Sequence, residues 1–548
     1  MADANAIAPA PPSPAAFPGM PYAADASSPA PDAASILRAG MPPLAAAEAE
    51  SLPAFDDSAA SASPSTSATP PAEPTAAPHN LESAQAALAA GQIPRDALRL
   101  SSIQLEGCPS LRRSFLQRLI SPYITPAPSS APMSVTAALQ RAWAAHRAEL
   151  PRAGEATELL ALLAVARSVA GDLQALDLFD SIDASVLPSS SSSGPEEVDL
   201  LFTLREKSRV LLKSSTDVGN GEGSASIQGR VRNCFGGAEC LEGNATVGTR
   251  TRRSFNVSLS APLLANPDHQ ASLSAYALDR DCSNYLSCSE GLRGARVALR
   301  SSLAPGVSHE MAYELVWRQL GRLAPSASLS VRRLAVPTLK SSLSYTYARD
   351  TRLDALLLNP AGSSFKFSSE LAGLGGDTAF LKSEVDYFRP RAFGAGWAYT
   401  IAARAGAMKS LDARATPLVD RFHLGGPISL RMFRHNSLGP KDGLDSLGGD
   451  AYWAAGASLL APMPYRAEWP LKLHAFVNAG QVCALDQSQP LRPAAFAPLA
   501  QPSSSAGIGI VYTQGPLRVE LNAGLPLTAR MGDGTRKGFQ LGIGLTFL

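Results

Sequence analysis

The stretch Lys537-Gly538-Phe539-Gln540-Leu541-Gly542-Ile543-Gly544-Leu545-Thr546-Phe547-Leu548 alternates without a break. Phe539, Leu541, Ile543, Leu545 and Phe547 fall on one face, and Gln540, Gly542, Gly544 and Thr546 on the other. Successive side chains of a strand point to opposite faces, and a strand apolar outward and small or polar inward is what a lipid-facing β-barrel uses. One such segment suits a soluble sandwich as well, so repetition has to decide. Leu517, Val519, Leu521, Ala523 and Leu525 alternate with Arg518, Glu520, Asn522 and Gly524. Met311, Tyr313, Leu315 and Trp317 alternate with Ala312, Glu314, Val316 and Arg318, and Leu381, Val385 and Tyr387 with Lys382, Glu384 and Asp386. Charges confined to the face opposite an apolar or aromatic one fit a barrel with a wet lumen better than a dry sandwich core.

Working outward, turn residues punctuate strand-length segments at 209–218, 222–234, 240–250, 254–263, 269–280, 290–303, 307–320, 338–350, 363–374, 377–390, 393–408, 449–463, 470–480, 503–514, 516–526 and 537–548. Sixteen is an even number, as closure with both ends on one side requires. Residues 321–337 have room for one more short strand, and 409–448 is too long for an idle hairpin loop. The expected fold is therefore an all-β transmembrane barrel of 16 antiparallel strands over 208–548. The longest apolar run, Leu159 to Ala166, is eight residues, against the ~20 a spanning helix needs, so any crossing is by strands.

Ahead of the barrel, 96–207 reads as a small α+β domain. Strands at 98–107, 178–187 and 198–207 flank helices at 111–120 and 157–173. Residues 1–95 form an Ala, Pro and Ser-rich tail expected to be disordered, with eight acidic residues against one basic, Arg38, in its first 80. That composition fits neither a secretory signal nor a mitochondrial presequence, which points to an organelle outer membrane reached by an internal signal. Over the 548 residues the net charge is +1, so no nucleic-acid partner is indicated. Six cysteines are too few for a disulfide scaffold, and the pairs 234/240 and 282/288 lack a neighbouring His for zinc. His309-Glu310 begins like a zinc-protease helix but lacks the second His. With no P-loop or nucleophile elbow either, the chain is expected to be no enzyme and to need no cofactor.

The long gap carries the most specific signal. Asp420-Arg421-Phe422-His423-Leu424-Gly425-Gly426-Pro427-Ile428-Ser429-Leu430-Arg431-Met432-Phe433, then Leu447-Gly448-Gly449-Asp450-Ala451-Tyr452-Trp453, closely resembles the signature loop of the POTRA-plus-barrel superfamily of outer-membrane assembly proteins. Within it, this run and the ending Gly542-Ile543-Gly544-Leu545-Thr546-Phe547-Leu548 look most like the barrel subunit of the mitochondrial sorting and assembly machinery. The resemblance makes 96–207 a POTRA-like domain in the intermembrane space.

It also implies that the loop folds into the lumen, with Gly425, Gly426, Leu430, Arg431 and Phe433 at its tip. Met432 stands where the family has glycine, and a Met tolerates positive φ poorly. Wall positions acidic in bacterial relatives are Ser458 and Asn478 here, so Arg431 is expected to be held by these or by nearby Asp450, without an assured ion pair. Gln540, Gly542, Leu545 and Phe547 resemble a barrel sorting signal on the last strand, which would meet the first strand near Leu212 in a gate. The implied function is folding and insertion of unfolded β-barrel precursors into the lipid bilayer, with accessory subunits on the cytosolic face. The alternatives are a passive porin or metabolite channel and a protein-translocating relative of another outer membrane. In that topology only Cys234 and Cys240 lie where a disulfide would persist.

Overall fold

The computed structural model describes residues 98–124, 156–189, 197–219, 222–352, 361–412, 415–466, 469–488, 492–514 and 517–544. The tail at 1–95 and the positions of Leu545 and Phe547 lie outside them.

The first domain is built from β1 (Leu98–Glu106), α1 (Arg113–Ile124), β2 (Ala156–Thr157), α2 (Leu159–Ala175), β3 (Phe179–Pro188) and β4 (Glu197–Glu206). Its sheet runs β2-β1-β4-β3, with β1 and β4 parallel and the other pairs antiparallel. Leu162, Val165, Val169 and Leu173 recur along one face of α2, and Phe115 and Leu119 along one face of α1; both faces bury against Leu100, Leu200 and Phe202 of the sheet. The short β2 is an addition to the expected pattern.

The barrel strands come in two groups. The first is β5 (Val210–Gly219), β6 (Glu222–Arg232), β7 (Cys240–Gly248), β8 (Thr251–Leu263), β9 (Asn266–Asp281), β10 (Ser289–Ala304), β11 (Val307–Gly321) and β12 (Thr338–Asp350). After β13 (Ser364–Ala372), β14 (Phe380–Gly394) and β15 (Trp397–Ser410) comes the long loop, with a small hairpin of β16 (Lys441–Asp442) and β17 (Asp445–Ser446). β18 (Ala451–Pro462), β19 (Leu471–Cys483), β20 (Ser503–Gln514), β21 (Leu517–Thr528) and β22 (Gly538–Gly544) complete the wall. All sixteen expected strands form, each antiparallel to its neighbours, in one sheet ordered from β22 to β5. The segment 321–337, with room for one more short strand, holds instead a short helix, α3 (Leu329–Leu334). Ser328 caps it, accepting from the Val331 N–H, so local capping outcompetes strand pairing there.

Alternation sorts the wall as the sequence implies. Met311, Tyr313, Leu315 and Trp317 are exposed on the outer face, while Ala312, Val316 and Arg318 are buried inside. The inner face is laced with charge: Lys340 reaches Glu370 at 2.7 Å and Glu314 at 3.4 Å, and Arg404 reaches Asp386 at 3.2 Å. Aromatic clusters of His309, Tyr345, Tyr347 and Phe365, and of Phe393, Trp397 and Tyr399, sit at the strand ends facing the first domain, forming the girdle that marks a membrane interface.

The first domain is tied to the barrel at that rim. Asn233 donates to Ser110 O (3.0 Å) and Oγ (2.7 Å), and Asp177 takes Lys207, Arg230 and Arg232 at 2.6, 3.3 and 3.4 Å. Cys234 and Cys240 lie on this side and Cys282 and Cys288 on the opposite one. All six cysteines are free thiols, and Cys234 and Cys240, on the side where a disulfide would persist, are not joined.

Candidate functional site

The loop from 411 to 450 enters on the side away from the first domain and is fixed at its base. Asp450 accepts from Thr416 Oγ1 (2.5 Å) and from the Leu485 N–H (3.0 Å), and Phe422 and Gly449 exchange backbone hydrogen bonds of 2.9 Å. Asp420 pairs with the buried Arg318 of β11, and Lys382 of β14 lies over the Phe422 ring, 4.5 Å from its centroid.

Further out, Asp445 clamps two other loops by accepting the N–H groups of Ser287 and Ser328, each at 2.7 Å. Burial works to raise that carboxyl, but the two donors outweigh it and hold it below the usual carboxylate range. His423 packs edge-on to Tyr285 at 5.2 Å, and burial pushes its pKa down to about 4.

From this base the chain turns down the lumen through Gly425 and Gly426, at φ +116° and +114°. A Cβ on Gly425 would stand 2.5 Å from the Arg434 carbonyl oxygen, so only glycine lets the two arms of the hairpin close. The tip residues Leu430, Arg431, Met432 and Phe433 are fully buried.

Arg431 is held differently from expectation. Its Nε and Nη2 meet Glu520 Oε2 and Oε1 of β21 at 2.9 and 3.1 Å, a bidentate pair with both side chains at 0 % exposure. Nη1 donates to Asn478 Oδ1 of β19 at 3.3 Å, and the guanidinium carbon lies 5.2 Å from the Phe476 ring centroid. Asn478 is thus one of its partners. Ser458 is buried in the wall but has no contact with Arg431 described, and Asp450 secures the loop base rather than its tip. The acid missed was Glu520, visible in the sequence as an inward charge on its strand; the lumen-facing row, not its nearness in sequence, brings it to the arginine.

The last strand is held by the same tip. Gln540 Oε1 accepts the Met432 N–H at 2.9 Å, and its Nε2 donates to the Phe433 carbonyl at 3.2 Å. Gly542 stands opposite Glu520 in the ladder. Ser505 of β20 donates to the Arg431 carbonyl at 2.7 Å, and Arg434 N–H to Gly534 O at 2.8 Å. Met432 takes the left-handed backbone expected only of glycine, at φ +65°. The room for its side chain comes from Gly524, where a Cβ would stand 3.1 Å from Met432 Cγ.

Across the remaining junction, β5 and β22 approach each other without forming a ladder among the described residues. Leu212 stands on the outer face of β5, 73 % exposed. The site is a lumen plug that grips the C-terminal wall, beside a seam with no ladder among the described residues.

Residues 233–547 match the Omp85 superfamily domain. The SAM50-like protein of Schizosaccharomyces pombe is 38% identical over 71% of this chain and 83% of its own. The human sorting and assembly machinery component 50 homolog is 30% identical over 72% and 85%. Among solved structures, BamA from Haemophilus ducreyi lacking POTRA domains 1–3 superposes with a TM-score of 0.64 at 18% identity, covering 82% of this chain and 85% of that one, a likeness of fold.

Proposed function

The chain belongs to the Omp85 superfamily and, within it, to the SAM50 group of sorting and assembly machinery proteins, and we propose that it inserts precursor β-barrels into the mitochondrial outer membrane through a lateral gate between β5 and β22. The single observation that carries the gate is the seam: among the described residues every other neighbouring pair of wall strands shares a ladder, and this pair does not. In lipid an unsatisfied backbone N–H or C=O costs several kcal/mol. A precursor strand therefore gains by pairing on a free edge, and strand exchange takes the place of bond chemistry.

In this reading the first domain faces the intermembrane space and receives precursors there, accessory subunits sit on the cytosolic face, and Gln540 holds β22 on the loop tip until a precursor displaces it. The tip is buried inside the wall against β19 to β22, which argues against a passive pore.

The test is Leu212→Cys with Leu545→Cys, oxidised to lock the seam, followed by import of a radiolabelled barrel precursor into mitochondria. Locked protein is expected to stay folded and to stop inserting, and Gln540→Leu to let the seam open more readily. Normal insertion by the fully cross-linked protein would overturn the gate.

A further inference from the structure

Ala451 of β18 and Cys483 of β19 belong to the outward-facing rows of the wall. Leu459 and Val477, an even number of residues away on the same strands, are 40% and 54% exposed, yet Ala451 and Cys483 are 1% and 4% exposed. Their cover is a short 3-10 segment, Pro493–Ala500, in the connection between β19 and β20. Ala495, Phe496 and Leu499 of this segment pack on Ala451, Cys483 and Leu485. The indole N–H of Trp453, also on the outward row, donates to the Leu499 carbonyl at 2.9 Å. The segment therefore lies against the outside of the barrel, at the rim away from the first domain, and not over the lumen.

Its composition suits that position. Pro-Ala-Ala-Phe-Ala-Pro-Leu-Ala carries no charged or hydrogen-bonding side chain, and its two prolines withhold two N–H donors that would need partners in a dry setting. Ala494, Ala497 and Pro498 remain exposed on the face turned from the wall. Arg492 precedes the segment, and Arg530 reaches it from the last hairpin with Nη2 on the Pro498 carbonyl at 2.5 Å. An apolar surface edged by guanidinium groups matches the boundary between acyl chains and phosphates. The irregular backbone also belongs there, because carbonyls without partners are tolerated where water reaches and not in the hydrocarbon core.

We propose that residues 493–500 enter the headgroup–acyl boundary of the leaflet on that side, as an interfacial anchor continuous with the lipid-facing wall. The anchor fixes the depth of β18 to β20, and the loop tip also grips the last two of these strands.

A photo-reactive benzophenone amino acid in place of Ala494 or Ala497, in full-length protein reconstituted into phosphatidylcholine–phosphatidylethanolamine vesicles, tests this. Illumination should give the mass of one phospholipid added at either position and none at Ser488, an exposed polar site earlier in the same connection. An environment-sensitive fluorophore at 497 should be quenched by spin-labelled lipid in vesicles and released from quenching by Ala494→Asp. Absence of lipid adducts with quenching by aqueous iodide would overturn the proposal. So would cross-linking at 497 to a protein subunit in native membranes.

Discussion

Glu520 should matter more to the barrel than Arg431, although the two form one pair. Its carboxylate answers two guanidinium groups: Arg431 at 2.9 Å and Arg518 at 2.6 Å, with Asn522 Nδ2 adding a hydrogen bond of 2.8 Å. Arg431→Met leaves that carboxylate paired with Arg518 and Asn522, so the loss is that of a charged hydrogen-bonded contact, ~1.5–3 kcal/mol. Glu520→Gln keeps the shape but strands two cations in one dry pocket; removing one partner of a buried pair costs ~3–5 kcal/mol. The single changes should therefore rank Glu520→Gln well above Arg431→Met in destabilisation. The double variant should fall short of their sum by about 1–2 kcal/mol, because it removes one of the stranded charges. Urea unfolding of the refolded protein in lipid vesicles, followed by the gel-mobility difference between folded and unfolded barrel, measures all three. Wild-type stability in Glu520→Gln, or strict additivity, would refute the shared-carboxylate account. Arg431→Lys should recover only part of the loss, since an ammonium lacks the planar fork that spans Glu520 and Asn478.

Two further outcomes are expected. Met432→Gly relieves a left-handed backbone worth ~1–2 kcal/mol but empties a fully buried side-chain site, where large-to-small changes cost ~2–5 kcal/mol, so the family's usual residue should destabilise this chain in the same urea assay. The loop base should loosen in acid. His423 is neutral in the folded protein down to about pH 4, whereas the unfolded chain takes up the proton near 6.5. Between those values the unfolded state binds more protons, so stability rises with pH and is lost on acidification through that window, by of order 1–3 kcal/mol. Protease nicking of the loop from pH 7 to pH 4 measures it, and His423→Phe should flatten the response.

The strand pattern was legible because period-two alternation is imposed on every wall strand by two different solvents, lipid and lumen. Hence Met311 to Trp317 and Arg518 to Leu525 fall on the faces assigned from sequence. The helix at 329–334 was not legible as such, because 321–337 is too short for a helical period to show and its cap at Ser328 is a single residue. At the site, the motif picks out Gly425, Gly426, Arg431 and Phe433, which the fold brings together in the lumen loop, but an arginine's partner is chosen by the ladder register across β19 to β22, and register is a tertiary quantity. Met432 broke a rule that holds for isolated residues. Gly524 on a facing strand, 92 positions away by number, made the space that local reasoning could not see.

The direction in which the loop tip finds its partners sets an order on folding. Asn478, Ser505, Glu520 and Gln540 all lie C-terminal to it, 47, 74, 89 and 108 residues further along. While the chain is still being delivered, Arg431 has nothing in the wall to neutralise it, and a bare guanidinium does not settle into a dry interior. The arginine can seat only after β21 has brought Glu520, and the tip is tied to the end of the wall only once β22 brings Gln540, so full docking reports that the wall is complete, and a chain cut short before β21 is left with its central arginine unpaired.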